Sequence, residues 1–223
     1  MATILLSREG KRREWLGEVK GLLEAKRSCP FLLLEAPRES PSIATYLAGW
    51  VVTSGRTVLY IDAANAFDPY LVSRLARQKG RNPQELLQRI LISRPFTCYQ
   101  LQTLLQDRME TAVEEMGAGL VILSGMVDLL LDEMVPDWEA RRIMEKILKS
   151  IGRVREEKRI PFLATQRVRE GPVRRRFLLL QAEREAQVVG RLQELSAETP
   201  RQAGKQRGNR AALTGSWRWW RMP

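Results

Sequence analysis

The residues best placed for chemistry lie where an apolar run, Phe31-Leu32-Leu33-Leu34, passes through Glu35-Ala36-Pro37-Arg38-Glu39-Ser40-Pro41-Ser42 into an apolar helix, Ile43 to Val52. In a nucleotide-binding α/β protein, a strand-loop-helix junction of this kind cradles a phosphate. Glycines turn backbone N–H groups toward the phosphates, and a lysine reaches the terminal ones. Here no glycine occurs between Gly21 and Gly49, and no lysine between Lys26 and Lys79. Prolines and acidic residues occupy the loop instead. The junction predicts the architecture of a nucleotide site without its phosphate chemistry.

Other catalytic chemistry is limited by what the chain lacks. It has no histidine, which removes the commonest general base, the commonest metal ligand and every Ser-His or Cys-His nucleophile arrangement. Cys29 and Cys98 flank apolar strand candidates and read as semi-buried thiols, with neither a disulfide framework nor a metal site implied. Asp128, Asp132, Glu133 and Asp137 form an acidic stretch that reads as a solvated loop and helix cap, with a metal cluster as the weaker alternative.

What remains is a strong cationic balance. The 223 residues carry a net charge of +11, and 29 of the 37 cationic side chains are arginine. That balance favours nucleic acid, an anionic membrane surface or an acidic protein as partner. Arginine suits bidentate phosphate contacts and base stacking, although a GC-rich or thermophilic source explains the same bias. Two segments concentrate it. Gln166 to Phe177 holds Arg167, Arg169, Arg174, Arg175 and Arg176, with Phe177 near enough to stack, and a solvated basic turn is the competing reading. Residues 200–223 carry six cationic side chains and no acidic one, closing on Trp217, Arg218, Trp219, Trp220 and Arg221. That composition fits a groove for single-stranded nucleic acid. Docking of the tryptophans on the body or on a partner, and packing as an edge strand, are its rivals.

The elements that must position these residues alternate β with α. Strand candidates are Phe31–Leu34, Thr57–Asp62, Arg89–Ser93, Leu120–Ser124, Ile160–Thr165 and Gln187–Leu192, mostly continuous apolar runs of the kind covered on both faces. Asp68-Pro69 and Asn82-Pro83 each supply an N-cap with proline at the first helical position, and Gly80 closes the first of these helices. Helical spacing runs from Tyr99 to Met116 and again from Asp137 to Lys158, the latter placing Trp138 with Ile143, Met144 and Ile147 on one face. The expected fold is α/β: a doubly wound, mainly parallel sheet with helices on both faces. Residues 1–28 are expected to form an N-terminal amphipathic helix, 29–198 the core, and 199–223 a basic tail or edge hairpin.

Met1 to Leu6 is too short for a signal peptide and is followed by the charged stretch Arg8 to Arg13; no run approaches membrane-spanning length. A cytoplasmic protein without membrane partners is expected.

Thr57 to Val168 resembles the core of the RecA/RadA family of recombination ATPases, and the fold expected is RecA-like. The blocks that carry the likeness are Val58-Leu59-Tyr60-Ile61-Asp62 with Phe67-Asp68-Pro69, then Asn82 to Leu87, Ile90 to Phe96, Gly119 to Ser124 and Pro161 to Gln166. In that family the strand matching Gly119–Ser124 ends in a magnesium-linked Asp, and a mobile loop after the strand matching Pro161–Gln166 contacts single-stranded DNA. The departures fall on the chemistry. Ser42 belongs to a loop without the family's glycines and lysine, Ala64 stands where the general base would be, and Ser124 stands where the magnesium Asp would be. Phosphoryl transfer needs all three parts. The resemblance therefore implies a pseudo-ATPase with no cofactor, acting in DNA recombination and repair. Its partners would be DNA, single-stranded favoured, and/or a recombinase or repair protein, with a homo-oligomer also compatible. A residual ATPase or nucleotide sensor with an atypical site, and a pure protein-interaction module, are the alternatives.

Overall fold

The computed structural model describes residues 2–6, 9–24, 29–36, 40–167 and 173–192. Because most of the apolar runs have no polar alternation, the central strands bury both faces, and the chain must cross over between strands to cover them. Seven strands result: β1 (Ala2–Leu6), β2 (Phe31–Ala36), β3 (Thr57–Asp62), β4 (Ile90–Ser93), β5 (Ala118–Ser124), β6 (Phe162–Arg167) and β7 (Val188–Leu192). They form one sheet in the order β1-β7-β2-β6-β5-β3-β4, and every pairing is parallel.

Helices cover both faces. On one side α1 (Glu9–Glu24), α2 (Ser40–Thr53), α3 (Pro69–Gln78) and α4 (Pro83–Leu87) bury Val19, Leu47, Val72 and Leu86 against Leu32, Tyr60, Ile122 and Leu163. On the other, α5 (Cys98–Thr103), α6 (Met109–Met116), α7 (Asp137–Lys158) and α8 (Val173–Glu185) bury Leu101, Met109, Ile147 and Leu178 against Leu33, Leu123 and Phe162. The doubly wound parallel sheet expected from the sequence is the fold observed. The cap signals hold as well. Asp68 accepts from Tyr70 N at 2.9 Å, Asn82 accepts from Gln84 N at 3.0 Å, and Gly80 takes φ +62° just past α3.

Four expectations change. Residues 2–6 are not part of a helical lead-in; they pair in parallel with β7 and extend the sheet. The strand expected over Ile160–Thr165 begins two residues later, because Ile160 and Pro161 approach the sheet before Phe162 N donates to Pro30 O at 2.9 Å. The helix expected over Tyr99–Met116 carries a π-helical turn, Leu104–Arg108, between α5 and α6. Trp138 leaves the buried face of α7 and stands 64% exposed, while Ala140 takes the place in the stripe. A hundred degrees per residue explains this: Ala140, Ile143, Met144 and Ile147 share a face, and Trp138 is turned from them by about 120–180°.

Candidate functional site at the carboxyl ends of the strands

In a parallel sheet all carboxyl ends lie on one edge, and loops there gather side chains from distant parts of the chain. Register aligns Leu34, Thr165, Ser124 and Asp62 across β2, β6, β5 and β3. Side chains alternate along a strand, so this row faces α2, with Tyr60, Ile122 and Leu163 one step below. Glu35 and Gln166, in the next row, face the α8 side.

Ser124 and Thr165 are 1% exposed; the Thr165 hydroxyl has no hydrogen-bond partner among the described residues, and the Ser124 hydroxyl is turned toward the Tyr60 hydroxyl. Asp62, also 1% exposed, has its carboxylate filled: it accepts from Ala66 N at 3.0 Å, from Phe67 N at 3.1 Å and from Arg94 Nε at 3.1 Å. It thereby shapes the turn that leads to the Asp68 cap of α3. Ala64 N donates to Ser124 O at 2.8 Å, and a Cβ added at Gly125, whose φ is +76°, would lie 2.8 Å from the Ala64 Cβ. Positions 64 and 124 are thus brought together at the strand ends, and they offer a methyl group and a hydroxyl. Burial pushes the Tyr60 hydroxyl pKa well up, so it stays protonated beside this row. Ser42 is exposed near the start of α2, and the loop residues 37–39 before it lie outside the described residues.

Sequence reasoning did not anticipate the polar cluster on the other face. Glu35, 7% exposed at the end of an apolar strand, faces Arg191 of β7 at 3.3 Å, and Arg191 also pairs with Glu183 of α8. Burial raises the Glu35 pKa; Arg191 pulls it back down, and Glu183 adds to the rise. With Arg176 and Leu180 these residues line a cleft of about 370 Å³. The signal was a single glutamate inside a buried run, which needs a partner that one sequence does not reveal.

The arginine segment divides. Arg175 is 5% exposed, pairs with Asp128 at 2.9 Å and donates to the Arg167 carbonyl at 2.8 Å. Arg174 donates to Leu130 O and pairs with Asp137 at 3.4 Å. Phe177 lies beneath Arg141, whose guanidinium carbon is 4.0 Å from the ring centroid. Arg174, Arg175 and Phe177 therefore tie α8 to α7 and to the short 3-10 turn Asp128–Leu131 after β5. These internal contacts occupy the three side chains that were expected to track phosphate or stack on bases. Arg176 is exposed and Arg167 partly so. Arg169, Trp217, Arg218, Trp219, Trp220 and Arg221 lie outside the described residues. The acidic stretch gathers no metal cluster among the described residues, since Asp128 serves Arg175 and Asp132 accepts from Met134 N at 2.9 Å. Among the described residues no helix is long and apolar enough to cross a membrane.

A wholly parallel sheet in this order, wound with helices on both faces and gathering polar strand ends beneath α2, is a RecA-like α/β core. The chain belongs to the Rad51 family, whose model matches residues 43–212. It is similar to the DNA repair and recombination protein RadB of Methanococcus maripaludis, 26% identical over 123 residues. That match covers 53% of this chain and 54% of RadB, so the chain spans about half the length of the curated relative it matches.

Proposed function

We propose that this Rad51-family chain is a non-catalytic member acting in DNA recombination and repair, in the cytoplasm, through contacts with DNA or with a recombinase or repair protein. The observation that carries the non-catalytic reading is the pairing of Ala64 with Ser124 at the strand ends. Magnesium is held by carboxylates and phosphate oxygens, and a lone buried serine hydroxyl is a weak substitute. The Ala64 methyl cannot orient a nucleophile. Asp62, the nearby carboxylate, is closed by two backbone N–H groups and Arg94. These residues do not fit a magnesium-bound nucleotide. The family match, moreover, starts at Ile43, just past the loop that would hold phosphate.

The DNA half of the reading rests on the +11 charge and on the cations left at the same edge, Arg167 and Arg176 among the described residues, with Arg169 close to them in sequence and the Trp-Arg segment far along the chain. The protein half has its own support. β4 ends the sheet with Leu91 44% and Ile92 37% exposed, and Phe96 follows at 69%. An open apolar edge strand is a template for another chain, including a second copy of this one.

Calorimetric titration of the full chain with Mg-ATP is expected to give no saturable heat. Binding in the micromolar range would overturn the reading of a vestigial nucleotide site and favour a residual ATPase or nucleotide sensor.

A further inference from the structure

The segment before α7 and the first turn of that helix present a face unlike the rest of this cationic protein. Met134 is 87% exposed and Trp138 64% exposed. Neither is a slipped core residue, since α7 already buries Ala140, Ile143, Met144 and Ile147 on its inner side. Two large, highly exposed apolar side chains four residues apart are candidates for a contact surface when a complementary segment is at hand. The segment before them is acidic, while Arg141 and Arg142, one turn on from Trp138, are exposed cations, Arg141 lying over Phe177. Asp132 and Glu133 make no ion pair among the described residues, and Asp137 has only Arg174, at 3.4 Å.

The chain itself contains a segment complementary in both respects. Residues 200–223 hold six cationic side chains, no acidic one and three tryptophans. Tryptophan rings pack well on a thioether and on another indole, and arginine forks match carboxylates. The topology puts the two within reach. All strands are parallel, so β7 leaves the sheet on the same edge as β5, whose exit leads to Met134. Three strand spacings separate them in the order β7-β2-β6-β5, about 15 Å at the usual spacing. The 24 residues between Leu192 and Trp217 can extend to about 80 Å, so length does not limit the contact.

We propose that the Met134–Trp138 face, with Asp132 and Glu133 beside it, docks the chain's own Trp217–Arg221 segment. Docking holds Arg218 and Arg221 on carboxylates, so it competes with any phosphate contact by the same arginines. That consequence rests on the DNA-binding reading above; the docking itself does not.

The test is carbodiimide cross-linking of the full-length Ser216→Lys variant, which sets an amine beside Trp217, followed by peptide mass spectrometry. Expected is a link to Asp132 or Glu133 whose yield is independent of protein concentration. The yield should fall about fivefold or more when Trp217, Trp219 and Trp220 are all changed to Ser, as for a docked state reduced to a minor population. No link, or a link unchanged by the triple substitution, overturns the docking. A link that grows with concentration overturns the intramolecular form and assigns the face to a second copy. In a parallel arm, Asp132→Asn with Glu133→Gln should tighten binding of single-stranded DNA severalfold in the full chain but not in the triple Trp→Ser variant. If the cross-link holds while neither form binds DNA, the DNA-binding reading fails and the docking stands.

Discussion

Replacing Asp62 with Ala is expected to cost about 3–5 kcal/mol of folding stability, the range for breaking a buried charged network by removing one member. The carboxylate is buried, and three donors converge on it: Ala66 N, Phe67 N and Arg94 Nε. Ala leaves two backbone N–H groups without their acceptor, each a penalty of about 1–3 kcal/mol, and frees Arg94 to solvent at little cost. Since domains are stable by only about 5–15 kcal/mol, this is a large fraction of the total. Denaturant midpoints measure the loss directly. Asp62→Asn keeps an acceptor and the shape, and should lose distinctly less. An Asp62→Ala variant as stable as the parent would mean that this carboxylate does not organise the turn into α3, and would reopen a role for it in binding.

Gly125→Ala is expected to lose about 2–5 kcal/mol from two sources that add. Left-handed backbone costs a residue with a Cβ roughly 1–2 kcal/mol, and Gly125 sits at φ +76°. Overpacking in a tight region costs about 1–3 kcal/mol more, because the new methyl would stand 2.8 Å from the Ala64 Cβ and 3.0 Å from its backbone. Ala64→Gly in the same chain removes the nearest of these atoms but not the backbone contacts, so it should restore part of the loss and no more. Additive costs in the double variant, with no rescue, would show that positions 64 and 125 do not press on each other. The pair matters for function because it fixes the spacing between the turn after β3 and the end of β5. A longer side chain at position 64 would have to grow away from Gly125.

The sequence made the sheet legible because parallel strands buried on both faces leave unbroken apolar runs, as in Leu120-Val121-Ile122-Leu123, which belong to β5. Caps were legible for the same local reason, and the α7 limits, Asp137 and Lys158, fall where they were expected. β1 was not. Five residues at the edge of the sheet carry no periodicity, and their partner, β7, lies far along the chain. The π turn over Leu104–Arg108 was hidden because apolar spacing continues through it.

The candidate site was legible as absences more than as presences. A missing glycine, lysine or acid at the junction, at position 64 or at position 124 is visible in letters alone. Which arginines face inward is not. Arg175 looks no different from Arg176 in sequence, yet it meets an aspartate 47 residues away while its neighbour stays in solvent. Trp138 shows the opposite failing: its helical phase was available, and the Ala140 that displaces it was the clue.

The most direct measurement is fluorescence anisotropy of labelled single-stranded DNA titrated with the full chain, at low and at moderate salt, with and without Mg-ATP. Expected is binding that weakens steeply as salt rises, with log K falling at about 0.7 per phosphate contact against log salt. The isotherms with and without nucleotide should coincide. No binding at low salt, or an affinity that depends on Mg-ATP, would contradict a Rad51-family protein that works through its cationic edge with a vestigial nucleotide site.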